Sequence, residues 1–315
     1  MTTAEVEVAA PDLEPFRAGN TGIPFVTTLD AGRAGPHVLI TALTHGNELS
    51  GAYALCHLLE TGIRPRRGRL TLAFVNHEAF RRFDPDNPRA SRYLDEDLNR
   101  VWSSAVLDGP RRSRELDRAR EIRPLVESAD HLLDLHSMQF PSQPLALAGL
   151  LPKGRRLARH MRYPLWVVAD AGHRNGVRMR DYGRFADPDD PASAVLVECG
   201  QHWAARSIDV AVTSCRQFLA ALGVLDPLDL GRIGAAPPAI AQQEVEVTEA
   251  VTVRDGPFRF VEPFQGLETI PRGGTLIAHD GERPIRTPYD DCVLIMPSQR
   301  LTVGLTAVRL GRRVA

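Results

Sequence analysis

Residues 37–62 read HVLITALTHGNELSGAYALCHLLETG, and the change of period within this stretch decides the fold. His37 to Leu43 is an apolar run of strand length. From Glu48 to Glu60, by contrast, Leu49, Ala52, Tyr53, Cys56 and Leu59 recur on one helical stripe that ends at Gly62. A further apolar run, Arg69 to Asn76, follows, and strand, helix and strand together read as a βαβ unit, the building block of parallel sheets. Working outward, strand candidates recur at His131 to His136, Pro164 to Ala169 and Ala194 to Glu198. From about Thr21 to Ala221 the expectation is therefore a mostly parallel sheet covered on both faces by helices.

Beyond this region the character of the chain changes. Residues 223–243 are rich in Pro, Gly and Ala (DPLDLGRIGAAPPAIAQQ) and read as a linker. After them EVEVTEAVTVR, GPFRFVEPF, GGTLIAHDG, VLIMPS and LTVGLTAVRL have the spacings of a small all-β module. The division expected is a catalytic unit at 1–222, a linker at 223–243 and a β unit at 244–315. Arg111 to Val126 mixes Arg with Glu and Asp at helical spacing and is expected to be a solvated helix face.

Across 315 residues, Lys+Arg 38 against Asp+Glu 39 leave a formal net charge of -1, which gives no electrostatic reason to expect nucleic acid or an acidic membrane as a partner. Lys153 is the only lysine, a bias toward arginine that is read as compositional. The apolar runs fall far short of the roughly 20 residues of a membrane span. Four scattered cysteines make no disulfide framework and no CxxC site, so a reducing cytoplasm is the expected setting.

His45-Gly46-Asn47-Glu48 stands between the first apolar run and its helix, at the carboxyl end of a strand, where open α/β sheets build their ligand crevices. The spacing alone carries little. The same chain repeats it inside the helix at His57-Leu58-Leu59-Glu60, where it reads as two side chains on the flank. Asp134-Leu135-His136-Ser137 ends another strand candidate, with Asp134 and His136 on one face by the period of two. Two imidazoles and one carboxylate are the ligand set of a catalytic zinc site that keeps a fourth position open for water. Asp134 is suited to orient a ligand imidazole.

Glu198 ends the apolar run SAVLV, where a carboxylate is costly unless it is paired, metal-bound or acting as acid or base. A salt bridge and the role of general base beside a zinc water are both open to it. Between these points RYLDEDLNR, Arg92 to Arg100, follows the loop DPDNPRAS. Arg92 and Arg100 offer planar donor forks for a carboxylate or an amide oxygen, and Asn99 offers a neutral donor.

HGNE, RYLDEDLNR, DLHS and VECG, in this order, resemble the aspartoacylase and succinylglutamate desuccinylase family of the zinc carboxypeptidase fold group, over roughly the first two thirds of the chain. The resemblance implies a zinc-carboxypeptidase-like three-layer α/β/α domain around a mixed, mostly parallel sheet, with a small C-terminal all-β domain that narrows the channel. It implies one zinc per chain on His45, Glu48 and His136, Glu198 as general base, Arg92 polarising the scissile carbonyl, and Asn99 and Arg100 holding a substrate carboxylate. Aspartoacylase proper has further substrate-binding arginine and tyrosine residues. Arg178, Arg180 and Arg184 in GVRMRDYGRF are the candidates here, with Arg180 taken as the contact, while Tyr289 reads as a turn residue.

The activity so implied is zinc-dependent deacylation of an N-acyl amino acid or related small metabolite by zinc-activated water. A zinc carboxypeptidase or isopeptidase acting on short peptides is a second reading, and a catalytically silent protein that binds a small acid is a third. A homo-oligomer rests on family grounds only.

Overall fold

The computed structural model describes residues 5–172 and 175–314. Its strands form where the apolar runs lie. In chain order the elements are β1 (Val26–Asp30), β2 (His37–Ala42), α1 (Leu49–Glu60), β3 (Arg69–Phe74), α2 (His77–Phe80), α3 (Ser104–Leu107), α4 (Arg114–Ser128), β4 (His131–Met138), β5 (Leu145–Leu147), α5 (Pro152–Met161) and β6 (Trp166–Ala169). There follow β7 (Ser193–Gln201), α6 (Arg206–Leu222), α7 (Pro227–Ile233), β8 (Gln243–Thr252), β9 (Phe258–Phe260), β10 (Thr269–Ile270), β11 (Leu276–Asp280), β12 (Arg283–Arg286), β13 (Cys292–Ile295) and β14 (Thr306–Arg313).

The main sheet has the order β1-β3-β2-β4-β7-β5-β6-β8-β14-β13-β10, and β12-β11-β9 form a small separate antiparallel sheet. From β3 through β2 and β4 to β7 the pairing is parallel. β5 reverses against β7, and β6 and β8 then run parallel to β5 and to each other. The fold is thus mixed and mostly parallel at its centre.

Alternation along β2 builds the layers. Val38, Ile40 and Ala42 pack with Ala52, Leu55 and Leu58 of α1 and with Phe218 and Leu219 of α6. Leu39 packs on the other face with Leu116, Ala119 and Ile122 of α4. That two-sided burial explains why the strand sequence is apolar throughout rather than alternating. Helix α1 sits hard on the sheet at Gly51, where a Cβ would come within 2.9 Å of the Ala42 and Leu135 side chains.

One expectation changes. Helix α4 is not a solvated face: Leu116, Ala119, Ile122 and Val126 form a buried stripe, and Glu115 and Arg118 are buried with them. Charged residues mask this stripe in the sequence, and Arg118 is satisfied by the carbonyls of Pro24, Phe74 and Val75. The 223–243 stretch contains α7, capped by the Asp226 side chain. Beyond it, β8 joins β6 and pairs with β14, so strands of the C-terminal segment extend the main sheet and also form a core of their own around Val253, Phe258 and Ile277. No described helix is long and apolar enough to cross a membrane.

Candidate active site

The carboxyl ends of β2, β4 and β7 bring the chemistry together. Leu43, just past β2, takes a left-handed φ of 57° and turns the chain sharply. Gly46 then lies against the backbone of α2 and of Ser91, where a Cβ would fall 2.4 Å from the Phe80 nitrogen and 2.5 Å from the Ser91 oxygen, so no larger residue fits this turn. Glu48 occupies the N-cap position of α1 without capping it. Its carboxylate turns instead to two imidazoles, with Oε1 2.7 Å from His45 Nδ1 and Oε2 2.9 Å from His136 Nδ1.

One donor atom from each of His45, Glu48 and His136 lies within 4.8 Å of the others, and all three residues are buried. The far nitrogen of each imidazole meets a carboxylate. His136 Nε2 is 2.8 Å from Asp134 Oδ2, and His45 Nε2 is 3.0 Å from Asp97 Oδ1. Asp134 is itself held by the hydroxyls of Thr41 and Thr44, which donate to its Oδ1. This is the pattern that fixes the tautomer and orientation of metal-ligating histidines. A donor set of two imidazoles and a carboxylate, each imidazole backed by a second carboxylate, fits zinc.

Burial works against charge on Glu48 and Asp97, but the imidazoles and guanidiniums facing them outweigh it. His45 and His136 hold the Glu48 carboxyl well below the usual range, and His45, Arg92 and Arg100 do the same for Asp97. Glu198 is the opposite case. Paired in register with His136 on the neighbouring strand, it is pushed up to about 8, chiefly by burial. Its Oε2 is buried with no hydrogen-bond partner among the described residues, which is expensive for a carboxylate and points to a group waiting for a ligand or a proton.

These residues line a cleft of about 560 Å3 that also receives Arg92, Asp97, Asn99, Arg100, Arg178, His202 and Arg309. Arg92 donates to Asp97 Oδ2 at 3.0 Å and approaches Glu48 Oε1 at 3.5 Å. Asn99 Nδ2 lies 3.3 Å from His136 Nε2, while its Oδ1 accepts from the Met179 nitrogen. Arg100 donates to the carbonyl of Asn99. Arg180 is not brought to the cleft. Its guanidinium donates to the carbonyls of Ala148 and Ala194 and to Asp181, and the arginine that lines the wall is Arg178, clamped on Asp170 at 2.9 and 3.0 Å. Arg184 is tied to Asp130 and Asp190.

Sequence reading missed Asp97, His202 and Arg309. Asp97 could have been found, because it stands inside RYLDEDLNR and acidic partners of ligand histidines are expected. His202 carries no motif. Its Nδ1 lies 2.8 Å from Ser137 Oγ, and burial keeps its imidazole neutral, pushed down to about 3. Arg309 comes from β14, and its guanidinium makes no hydrogen bond or ion pair with the described residues, although it faces the charges of Asp170, Arg178 and Glu198. Nothing local in LTAVRLGRR marks it.

Fold and site together define an α/β protein with a buried His-Glu-His cluster at the strand ends, of the kind that metal-dependent hydrolases use. Residues 34–182, just under half of the chain, match the succinylglutamate desuccinylase/aspartoacylase catalytic domain. The match includes His45, Glu48 and His136 together with Arg92, Asn99 and Arg100, and it stops short of Glu198.

A human N-acyl-aromatic-L-amino acid amidohydrolase (carboxylate-forming) is 34% identical over 113 residues, covering 32% of this chain and 33% of that protein. Its Xenopus laevis counterpart is 32% identical over 133 residues, covering 39% and 40%. The alignments therefore span well under half of these relatives. Among solved structures, succinylglutamate desuccinylase from Vibrio cholerae superposes with a TM-score of 0.66 at 17% identity, covering 93% of this chain and 86% of the other. The product-bound ectoine utilization protein EutE (DoeB) from Ruegeria pomeroyi gives 0.65 at 21% identity, covering 91% and 88%. At these identities the superpositions establish the fold.

Proposed function

We propose that the protein is a zinc-dependent amidohydrolase that removes the acyl group from an N-acyl amino acid. The observation that carries this reading is the convergence of His45, Glu48 and His136 beside a buried carboxylate, Glu198, that has an unsatisfied oxygen. The activity of the two amidohydrolase relatives supports it. His45, Glu48 and His136 would hold the ion. Zinc in such a setting supplies Lewis acidity, lowering the pKa of water and polarising an acyl oxygen.

The chain's own residues supply the rest. Glu198, buried beside the cluster with an unsatisfied oxygen, takes the proton of the attacking water and returns it to the leaving nitrogen. Arg92, held by Asp97, presents a guanidinium to the negative charge that develops on the acyl oxygen. Asp134 and Asp97 keep His136 and His45 in one tautomer. Arg100 and Arg309 are the partly buried cleft arginines with no carboxylate bonded to them among the described residues, whereas Arg89 and Arg300 stand exposed at the rim, and we assign Arg100 and Arg309 to the substrate's anionic groups.

In this reading 1–222 is the catalytic unit, 223–243 the connection and 244–315 the β unit that narrows the cleft and contributes Arg309. The four free cysteines fit a reducing, cytoplasmic setting.

The test is hydrolysis by zinc-loaded protein of a panel comprising N-acetyl-L-aspartate, N-succinyl-L-glutamate, N-acetyl-L-phenylalanine and simple dipeptides. Turnover of one or more N-acyl amino acids is expected. Glu198→Gln is expected to keep its zinc and lose on the order of a hundredfold or more in kcat, the scale of a lost general base. Cleavage of dipeptides alone would replace the reading with a short-peptide hydrolase. Full activity in Glu198→Gln would remove that residue from the mechanism.

A further inference from the structure

Glu115, in the first turn of α4, is wholly buried and forms no ion pair among the described residues. Its carboxylate is instead wrapped in N–H donors. The backbone nitrogens of Leu94, Asp95 and Glu96 donate to it at 2.6, 3.0 and 3.3 Å, and Asn76 Nδ2 donates at 3.1 Å. Three successive amides converging on one anion form a nest, and the amino end of α4 adds its own positive end to the same spot. A buried carboxylate with no cation near it is costly unless N–H groups satisfy it, and here the groups that do so belong to one loop.

That loop is the one that furnishes the cleft. Arg92 lies two residues before the nest, and Asp97 follows it directly. Asp97 meets His45 Nε2 and Arg92 Nη2, each at 3.0 Å, and accepts from the Asn99 nitrogen at 2.9 Å. Asn99 reaches His136, and the Arg92 carbonyl accepts from the nitrogen of Gly46 in the histidine-bearing turn. The second anchor is equally placed, since Asn76 ends the β3 connection and caps α2, the helix on which Gly46 rests. One carboxylate on α4 thus grips, from behind, the backbone that carries Arg92, Asp97, Asn99 and Arg100.

We infer that Glu115 is a positioning residue for the reaction: its carboxylate sets the register of residues 92–100 and so the placement of the arginines that hold substrate. Its kinetic consequence rests on the amidohydrolase reading, whereas its grip on the loop does not. A shorter or neutral side chain leaves at least one of the converging amides without its acceptor, and the loop then samples positions from which Arg92 and Arg100 miss the substrate. A misplacement of this kind raises KM and lowers kcat through geometry rather than through loss of folded protein.

The experiment compares the parent with Glu115→Gln and Glu115→Asp, and with Glu121→Gln as a control on the same helix. Glu121 is exposed and, among the described residues, paired only with Arg118. Zinc per chain, Tm, hydrogen exchange of the peptide containing residues 94–96, and KM and kcat for the N-acyl amino acid of the panel that turns over fastest are measured. Glu115→Gln is expected to retain zinc, to exchange faster at 94–96 and to raise KM on the order of tenfold with a smaller fall in kcat. Glu115→Asp should lie between it and the parent, and Glu121→Gln should match the parent.

If Glu115→Gln does not fold, Glu115→Asp carries the same readouts. A carboxylate that only stabilised the fold would lower Tm and the active fraction while leaving KM unchanged, and that result overturns the proposal, as does unaltered exchange at 94–96. If the parent cleaves no N-acyl amino acid, the amidohydrolase reading fails, and exchange at 94–96 alone decides whether Glu115 holds the loop.

Discussion

Helix α1 carries the pattern His-x-x-Glu at both of its ends. At the amino end His45 and Glu48 are 4% and 2% exposed and converge with His136. At the carboxyl end His57 spends its Nε2 on the carbonyl of Ile233, 2.8 Å away, and Glu60 is exposed. Residue types and spacing are the same, so the difference lies in what surrounds them. The first copy opens a helix at the carboxyl ends of β2, β4 and β7, where Asp134, His136 and Glu198 arrive from neighbouring strands. The second points away from the strand ends, toward α7. A short motif becomes a site only where the topology delivers its missing partners.

The contrast is broken most directly by removing the partner that only the first copy has. His136→Ala should take zinc, measured by elemental mass spectrometry on protein purified without added metal or a histidine tag, from close to one per chain to a small fraction. Activity should fall with it, because a site with two remaining protein ligands has lost both affinity and geometry. A folded variant that keeps one zinc per chain would place the metal elsewhere.

A smaller effect tests the outer carboxylates, which the second copy lacks. Asp134→Asn keeps the size of the side chain and its contact with the Thr41 and Thr44 hydroxyls but weakens the hold on His136. Zinc affinity, from competition with a chelator, is expected to drop about 10- to 100-fold, the usual scale for such partners. An unchanged affinity would mean that Asp134 serves only the strand.

Much of this arrangement is legible in the sequence, for a definite reason. β2, β4 and β7 are buried on both faces and therefore read as apolar runs, so polar residues at their ends stand out as exceptions that need a cause. The parts that stayed hidden depend on partners distant in sequence. Glu115 sits in a charge-rich helix whose pattern resembles a solvated face, and only folding shows the amides of 94–96 closing on it. Arg178 and Arg180 lie two apart in a loop with no period, so which of them faces the cleft is set by the carbonyls of Ala148 and Ala194 that capture Arg180. Arg309 arrives through the pairing of β14 with β8 and β13, a long-range event with no local signature.

The cleft at the amino end of α1 also holds a group that links stability to pH. His202, above the cleft and bonded to Ser137, is kept neutral by burial, with Arg92, His45 and His136 acting in the same direction, so that its imidazole is pushed down to about 3 from 6.5. The unfolded chain takes up this proton near 6.5 and the folded chain does not. Its contribution to stability is therefore lost as pH falls from about 6.5 toward 3. Tm measured between pH 7 and 4.5 in chelator-treated protein should fall less steeply for His202→Asn than for the parent. Chelation keeps proton-coupled metal release out of the comparison. Parallel slopes would mean that His202 is protonated in the fold.

The smallest effect is expected at the other copy, and it completes the comparison. His57→Ala removes one hydrogen bond, to the carbonyl of the last residue of α7, and trims a side chain at the edge of a surface groove lined also by Tyr53, Cys56 and Arg216. A bond of this kind contributes about 0.5–1.5 kcal/mol, so a modest fall in Tm is expected, from looser docking of α7 on α1. Zinc per chain and kcat should match the parent, because the histidine and the metal-binding turn lie at opposite ends of a helix of 12 residues packed rigidly on the sheet. Glu60→Gln should change neither stability nor zinc content beyond error. If His57→Ala instead lost zinc or turnover while keeping its fold, the two copies would be coupled through α1, and the amino-terminal site could no longer be treated as self-contained.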